Sequence, residues 1–259
     1  MRYDSGPHTA TADAGHHRPM SQPVAHALHW DNISALVLDS QRAVFAALDL
    51  PLQQDHMHKL RHGIWMNQRI AESASEDIVV FCDVDAFPLR REGWEKAMQV
   101  ASQNAIFGLA QFSNHRPTTE IYAGPMFLAF RKSVWESLGC PDMRSSSGHD
   151  AGEALSLEAR RKGVALHLMK PTACVIPKYA LGREGIFGIG TFYGDNDFFH
   201  LFESRDAAHE KILAAVADDV SAHRPLDFAN YLSLGAEQNE NVDEVSGRHR
   251  SGWWRRIIS

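Results

Sequence analysis

The segment Asp77–Leu89, DIVVFCDVDAFPL, carries the most specific chemistry in the chain. An apolar run ends at Cys82. Two carboxylates follow, Asp83 and Asp85, and Pro88 then ends regular structure. Two aspartates one residue apart at the mouth of an α/β sheet can address a single ion. Their hard oxygens suit Mg2+ or Mn2+, ions that commonly also hold substrate phosphates. A metal so placed offsets charge on a leaving diphosphate. A strand running into a solvated acidic turn is the plainer account of the same letters. The apolar strand before the pair and the aromatic–proline step after it favour a site.

Two further clusters bear titratable groups. SSSGHDAGEAL puts Asp150 where a loop becomes a helix. A carboxylate there can take a proton from an attacking hydroxyl, cap the helix, or do both. Glu153, one turn on, is the second candidate. FYGDNDFFHLFESR surrounds His200 with two aromatic pairs, and Asp195 and Asp197 point the same way if the stretch is extended. Arg183 and Arg205 can pair with phosphate oxygens; either can also be a plain surface arginine.

The elements around these groups follow from hydrophobic period. After Asp31, a candidate N-cap, residues Ile33, Leu36, Val37, Val44, Ala47 and Leu48 share a helical face. A second helix is predicted over 63–74 with Ile64, Ile70 and Ala71 inward. IVVFC shows no alternation, so it reads as a strand buried on both faces, with Cys82 as a packing residue. GWEKAMQVASQ reads as a helix, AIFGLAQ and GPMFLAF as strands, and RKSVWESLG as a short helix closed by Gly139. DAGEALSLEARRKG reads as a helix ended by Gly163. VALHLMK follows as a strand, and a last helix covers 205–220. Alternation of this kind, with hairpin-like strands in the middle, specifies an α/β layered domain whose ligands gather at the C-terminal ends of strands.

Composition narrows the class. The chain has 259 residues, 44% hydrophobic and 22% charged, with a net charge of −6. This fits a globular domain and argues against a basic nucleic-acid binder, so no nucleic-acid partner is expected. No run approaches about 18 apolar residues, and the opening residues lack a secretory apolar core. Three cysteines (Cys82, Cys140, Cys174) without a CxxC pair fit a reducing cytoplasm. Residues 1–22 read as a flexible tail, 23–235 as one domain, and 236–259 as a polar and then basic tail. Fifteen histidines invite a metal reading, but six of them lie in or near the tails.

With IVVFCDVDAFPL preceded by the helix HGIWMNQRIAESASED, the chain resembles a glycosyltransferase of the GT-A fold, in the manner of family 2-like enzymes. The resemblance covers about residues 24–205. It implies a three-layer α/β/α sandwich with a mixed, mostly parallel central sheet. It also implies a nucleotide-sugar donor, Mn2+ or Mg2+ at the DxD pair, and sugar transfer to an acceptor hydroxyl by inverting direct displacement. The acceptor it implies would be a saccharide, a lipid-linked saccharide or another hydroxyl compound, as in surface polysaccharide or glycoconjugate synthesis. By the resemblance, Asp83 faces the ribose or sugar, Asp85 binds the metal, His200 completes the metal site and Asp150 is the base. Arg61, His62 and Gly63 at the helix start, with Gly124 and Arg205, would then contact the donor. VAHALHW is the nearest candidate for the N-terminal strand of the nucleotide site. The Gly- and aromatic-rich 178–194 segment would be a lid over the donor or a structural excursion.

Three other functions compete. Asp83 and Asp85 with Lys170 and the 194–197 segment loosely resemble a haloacid-dehalogenase-type phosphatase. A nucleotidyltransferase and a non-catalytic carbohydrate-binding domain on a similar fold are the others. The end GRHRSGWWRRIIS, with Arg and Trp together, suits peripheral contact with an anionic membrane face, or it is simply a disordered basic end.

Overall fold

The apolar run is a strand at the centre of a sheet, and the layers build outward from it. The computed structural model describes residues 22–113, 121–180 and 184–245. In chain order the elements are β1 (Ala25–His29), α1 (Ala35–Ala47), β2 (Leu52–His56), α2 (His62–Glu72), β3 (Ile78–Cys82), β4 (Ala86–Pro88), α3 (Arg91–Ser102), β5 (Ile106–Phe112) and β6 (Ile121–Arg131). They continue as α4 (Lys132–Ser137), α5 (Glu153–Lys162), β7 (Leu166–Met169), β8 (Pro171–Ala180), β9 (Ile186–Tyr193), β10 (Phe198–Leu201), α6 (Ala207–Ser221) and α7 (Phe228–Val245).

The main sheet has the order β2-β1-β3-β6-β5-β7. β1 pairs in parallel with β2 and β3, and β5 with β7; β6 runs antiparallel to both β3 and β5. The sheet is therefore mixed and mostly parallel, as expected. Side chains alternate between its faces. Val80 and Cys82 pack with α1 and α3 residues such as Val44, Phe45 and Trp94. Val79 and Phe81 pack on the other face with Trp65, Met66 and Ile70 of α2 and Leu155 of α5. Burial on both sides is why IVVFC has no polar alternation. A second, antiparallel sheet, β4-β10-β9-β8, joins the first core.

Several local expectations shift. α1 is capped by Ser34, whose hydroxyl accepts from the Val37 amide. Asp31 cannot cap it, because its carboxylate is held by His56 and His58 at 2.6 and 3.0 Å. The buried stripe of α1 is Val37, Ser40, Gln41, Val44 and Phe45, with Leu36 exposed. That stripe keeps the helical period but includes two polar residues, so apolar letters alone misphase it. In α2 the inward residues are Trp65, Met66 and Ile70, while Ala71 faces solvent. Trp65 wins the inner face because its indole N–H donates to the buried Asp55 carboxylate at 2.8 Å. The helix over 153–162 is capped by Gly152, not Asp150, and it ends at Gly163 with φ 71°.

Of the 178–194 segment, residues 181–183 lie outside the described residues. Its residues 186–193 form β9, which is buried from Phe187 to Tyr193 and paired with β8. The last predicted helix is α6, and α7 follows it through Val245. Residues 1–21 and 246–259, and with them the flexible N-terminal tail and the membrane-contact end, lie outside the described residues, whereas 236–245 of the expected C-terminal tail belong to α7. No helix among the described residues is long and apolar enough to cross a membrane.

Candidate functional site

The turn after β3 is held from three directions. Asp83 N–H donates to Met126 O (3.1 Å), extending the β3–β6 ladder by one residue. Ala86 N–H donates to Asp83 O at 3.0 Å, closing the turn. Leu201 N–H donates to Asp85 O at 2.9 Å. The last bond ties β10 to the acidic pair, and the β4–β10 register sets His200 opposite Ala86. Phe198 and Phe199 anchor β10: Phe198 lies 4.5 Å from Phe127, and Phe199 lies 4.9 Å from Phe192, between ring centroids. With these aromatics buried, the neighbouring histidine is delivered to the turn by register rather than by a flexible loop.

Asp83, Asp85 and His200 thus form one cluster, with one donor atom from each within 4.8 Å of the others. His200 Nε2 is 3.6 Å from Asp85 Oδ1, and His62 Nε2 is 3.5 Å from Asp83 Oδ1. Asp83 is packed about by protein, although 27% of its side chain meets solvent. Desolvation raises its carboxyl above the usual carboxylate range and outweighs the opposing pull of His62; Asp85 adds to the rise. His200 is buried, and its Nδ1 has no hydrogen-bond partner among the described residues. Two carboxylates and an imidazole, with an orphaned ring nitrogen, fit the donor set of a Mn2+ or Mg2+ ion.

Space opens on both sides of the cluster. A cleft of about 780 Å³ runs between the end of β1 (Leu28, Trp30), the Ile33 turn and the Glu203–Ala207 segment, with Asp83 and Asp85 among its walls. The Arg205 guanidinium sits 5.6 Å from the Trp30 ring centroid in that cleft. A recess of about 320 Å³ lies beyond the cluster, lined by Asp83, Asp85 and His200 together with Tyr122, Asp150 and Glu203. Asp150 enters it through the loop before α5. The Tyr122 hydroxyl donates weakly to Asp150 Oδ2 at 3.4 Å. Glu153 is buried and turned inward, accepting from the Asp150 amide and the Ser113 hydroxyl, both at 2.9 Å. It supports the loop and does not line the recess.

The other predicted residues divide. His62 lines the large cleft and touches the acidic pair, whereas Arg61 and Gly63 line a neighbouring cavity with Arg144 and His149. Gly63 has a packing cause: a Cβ there would come 2.3 Å from Met143 O. Gly124 likewise lies against protein, its Cβ position 2.5 Å from the Met126 sulfur and 2.7 Å from Gln111 Oε1. Arg183 lies outside the described residues. Asp197 does not join the cluster: it is buried with Arg90 and Lys96, and Asp195 is exposed. Lys170 pairs with Glu184, so the phosphatase-like constellation with Asp83 is not assembled.

Gln41 and Glu203 were not singled out from the sequence, and Trp30 was included only as the end of VAHALHW. For Gln41 a signal existed, since a glutamine inside the apolar stripe of a helix must have buried partners. Trp30 and Glu203 reach the cleft from irregular segments, where no period marks them.

No family model matches the chain, and no curated protein matches it. Among solved structures it is similar to a Drosophila β-1,4-galactosyltransferase 7 in complex with manganese, UDP-Gal and xylobiose, at 12% identity and a TM-score of 0.44 over 71% of this chain and 72% of that one. It is also similar to the mannosyltransferase PcManGT from Pyrobaculum calidifontis in complex with GDP-Man and Mn2+, at 14% identity and a TM-score of 0.41 over 89% and 77%.

Proposed function

We propose that the chain is a metal-dependent glycosyltransferase that moves a sugar from a nucleotide-sugar donor to an acceptor hydroxyl by inverting direct displacement. The observation that carries this is the cluster of Asp83, Asp85 and His200 between two openings, with the Asp150 carboxylate in the smaller. A nucleoside diphosphate fits the larger cleft, where Trp30 offers an aromatic wall and Arg205 a guanidinium for phosphate oxygens. Asp83, Asp85 and His200 would hold Mn2+ or Mg2+, which when bound supplies positive charge to the departing diphosphate.

In this scheme the acceptor sits in the recess beside Asp150. Its oxygen bonds to the anomeric carbon as the bond from that carbon to the diphosphate oxygen breaks. Asp150 takes the hydroxyl proton as general base. Tyr122 and the buried Glu153 hold the Asp150 loop so that the carboxylate faces the recess.

The test is a thermal-shift panel of nucleoside diphosphates and their sugar conjugates, each with and without Mn2+. One nucleotide class should raise Tm only when Mn2+ is present. Equal shifts with and without metal, or none from any nucleotide, would contradict the proposal.

A further inference from the structure

Behind the acidic turn, on the side away from both openings, lies a polar side chain with a single geometric task. Gln41 of α1 is fully buried. Its amide nitrogen donates to Asp83 O at 2.8 Å and to Ala86 O at 2.9 Å. These are the first and fourth residues of the turn that presents Asp83 and Asp85. The Cys82 thiol reinforces the second contact, donating to Ala86 O at 3.2 Å. With both N–H bonds used, the Gln41 carbonyl must face the other way. It accepts there from Gln54 Nε2 at 2.9 Å, and the same nitrogen donates to Leu38 O at 3.0 Å. The chain of donors and acceptors allows one amide orientation at Gln41.

We infer that Gln41 is a positioning residue for the metal site: its amide clamps the 83–86 turn from behind, and Gln54 on β2 sets the clamp's direction. The clamp acts on backbone carbonyls, so it leaves both carboxylates free for the ligand. Leu201 holds the same turn from the front through Asp85 O. With the turn gripped on both sides, the two carboxylates and His200 meet without a search when an ion arrives. A purely apolar residue of this length would fill the space between α1 and the turn but leave Asp83 O with the Ala86 amide alone and Ala86 O with the weaker Cys82 thiol. The inference rests on the metal reading of the cluster.

Two measurements on the full chain test it: hydrogen exchange of the peptide spanning 83–86, and Mn2+ affinity read from the free-ion electron paramagnetic resonance signal. Gln41→Met is compared with Val44→Ala, a fully buried site one turn along the same helix. Gln41→Met should speed exchange at the turn and weaken Mn2+ binding about tenfold, or about 1.4 kcal/mol. Val44→Ala should lower Tm while changing neither. Gln54→Met, which frees the Gln41 amide to rotate, should show a smaller change in both readouts and carries the test if Gln41→Met does not fold. Unchanged turn exchange in the glutamine variants overturns the clamp, as does wild-type Mn2+ affinity in them. A wild-type chain that takes up no Mn2+ contradicts the metal reading instead, and faster turn exchange in Gln41→Met would still support the clamp.

Discussion

β10 is four residues long and has carboxylates packed at both ends. Asp197, just before it, is 1% exposed at the side chain and meets two cations. Arg90 donates to its Oδ1 at 2.6 and 2.8 Å, and Lys96 to its Oδ2 at 2.9 Å. Burial alone would raise this carboxyl, but the Lys96 and Arg90 hydrogen bonds outweigh burial and hold it below the usual range. At the far end His200 meets Asp83 and Asp85. There desolvation prevails, and the Asp83 carboxyl is raised. No lysine or arginine ion pair to Asp83 or Asp85 occurs among the described residues; the partners are histidines at 3.5 and 3.6 Å. One end of the strand supplies its own positive charge. The other is built with a deficit of it, and the deficit faces open clefts. Structural ion pairs and ligand sites can share a residue type and a strand, and local charge balance separates them.

The strongest break in the comparison is Asp85→Asn. It should lower sugar transfer at least about a thousandfold, by removing a ligand whose charge the ion must match. Metal-free Tm should stay level or rise, since a like charge beside Asp83 is gone. Steady-state transfer and calorimetry on one preparation check both halves. Asp150→Asn comes next: a loss of about 10²–10⁴ in transfer rate, as for a general base, with Mn2+-dependent donor binding intact in the thermal-shift assay.

At the satisfied end the signs reverse. Asp197→Asn should leave Mn2+ affinity unchanged and lower stability by about 1.5–3 kcal/mol in denaturant melts at neutral pH. Because the folded value of this carboxyl is depressed, its contribution is full above the unfolded value of about 4. It is lost as pH falls through the lower folded value. The gap between wild type and Asp197→Asn should therefore close progressively below about pH 4. Lys96→Met is the mildest, at about 1 kcal/mol or less, because Lys96 is half exposed and Arg90 remains.

Much of the positioning frame was legible before any coordinates. The centrality of IVVFC followed from its unbroken apolar run, Asp83 and Asp85 were singled out by residue type and spacing, and His200 by the resemblance to GT-A enzymes. Other features depended on contacts across the fold. Asp195 and Asp197 stand near His200 in sequence, but the β4–β10 register and the cations of 90 and 96 assign Asp197 to a structural pair. Gly63 and Gly124, expected as donor contacts, also have packing causes: a Cβ at either would meet neighbouring backbone or side-chain atoms. Gln41 was overlooked because a single polar letter in a helix does not reveal a partner 42 residues away. The glycines and aromatics of 178–194 left a lid and a structural excursion both open, and the burial of Phe187 to Tyr193 places β9 in the core.

The central claim is that the charge deficit at Asp83, Asp85 and His200 is the seat of a divalent ion that presents a nucleotide sugar. A Mn2+ titration of wild type and Asp85→Asn, followed by the free-ion paramagnetic signal with and without nucleoside diphosphate, tests it most directly. The account predicts one site per wild-type chain, tighter with nucleotide and lost in Asp85→Asn. A signal that wild type does not reduce, or that both proteins reduce equally, would contradict it.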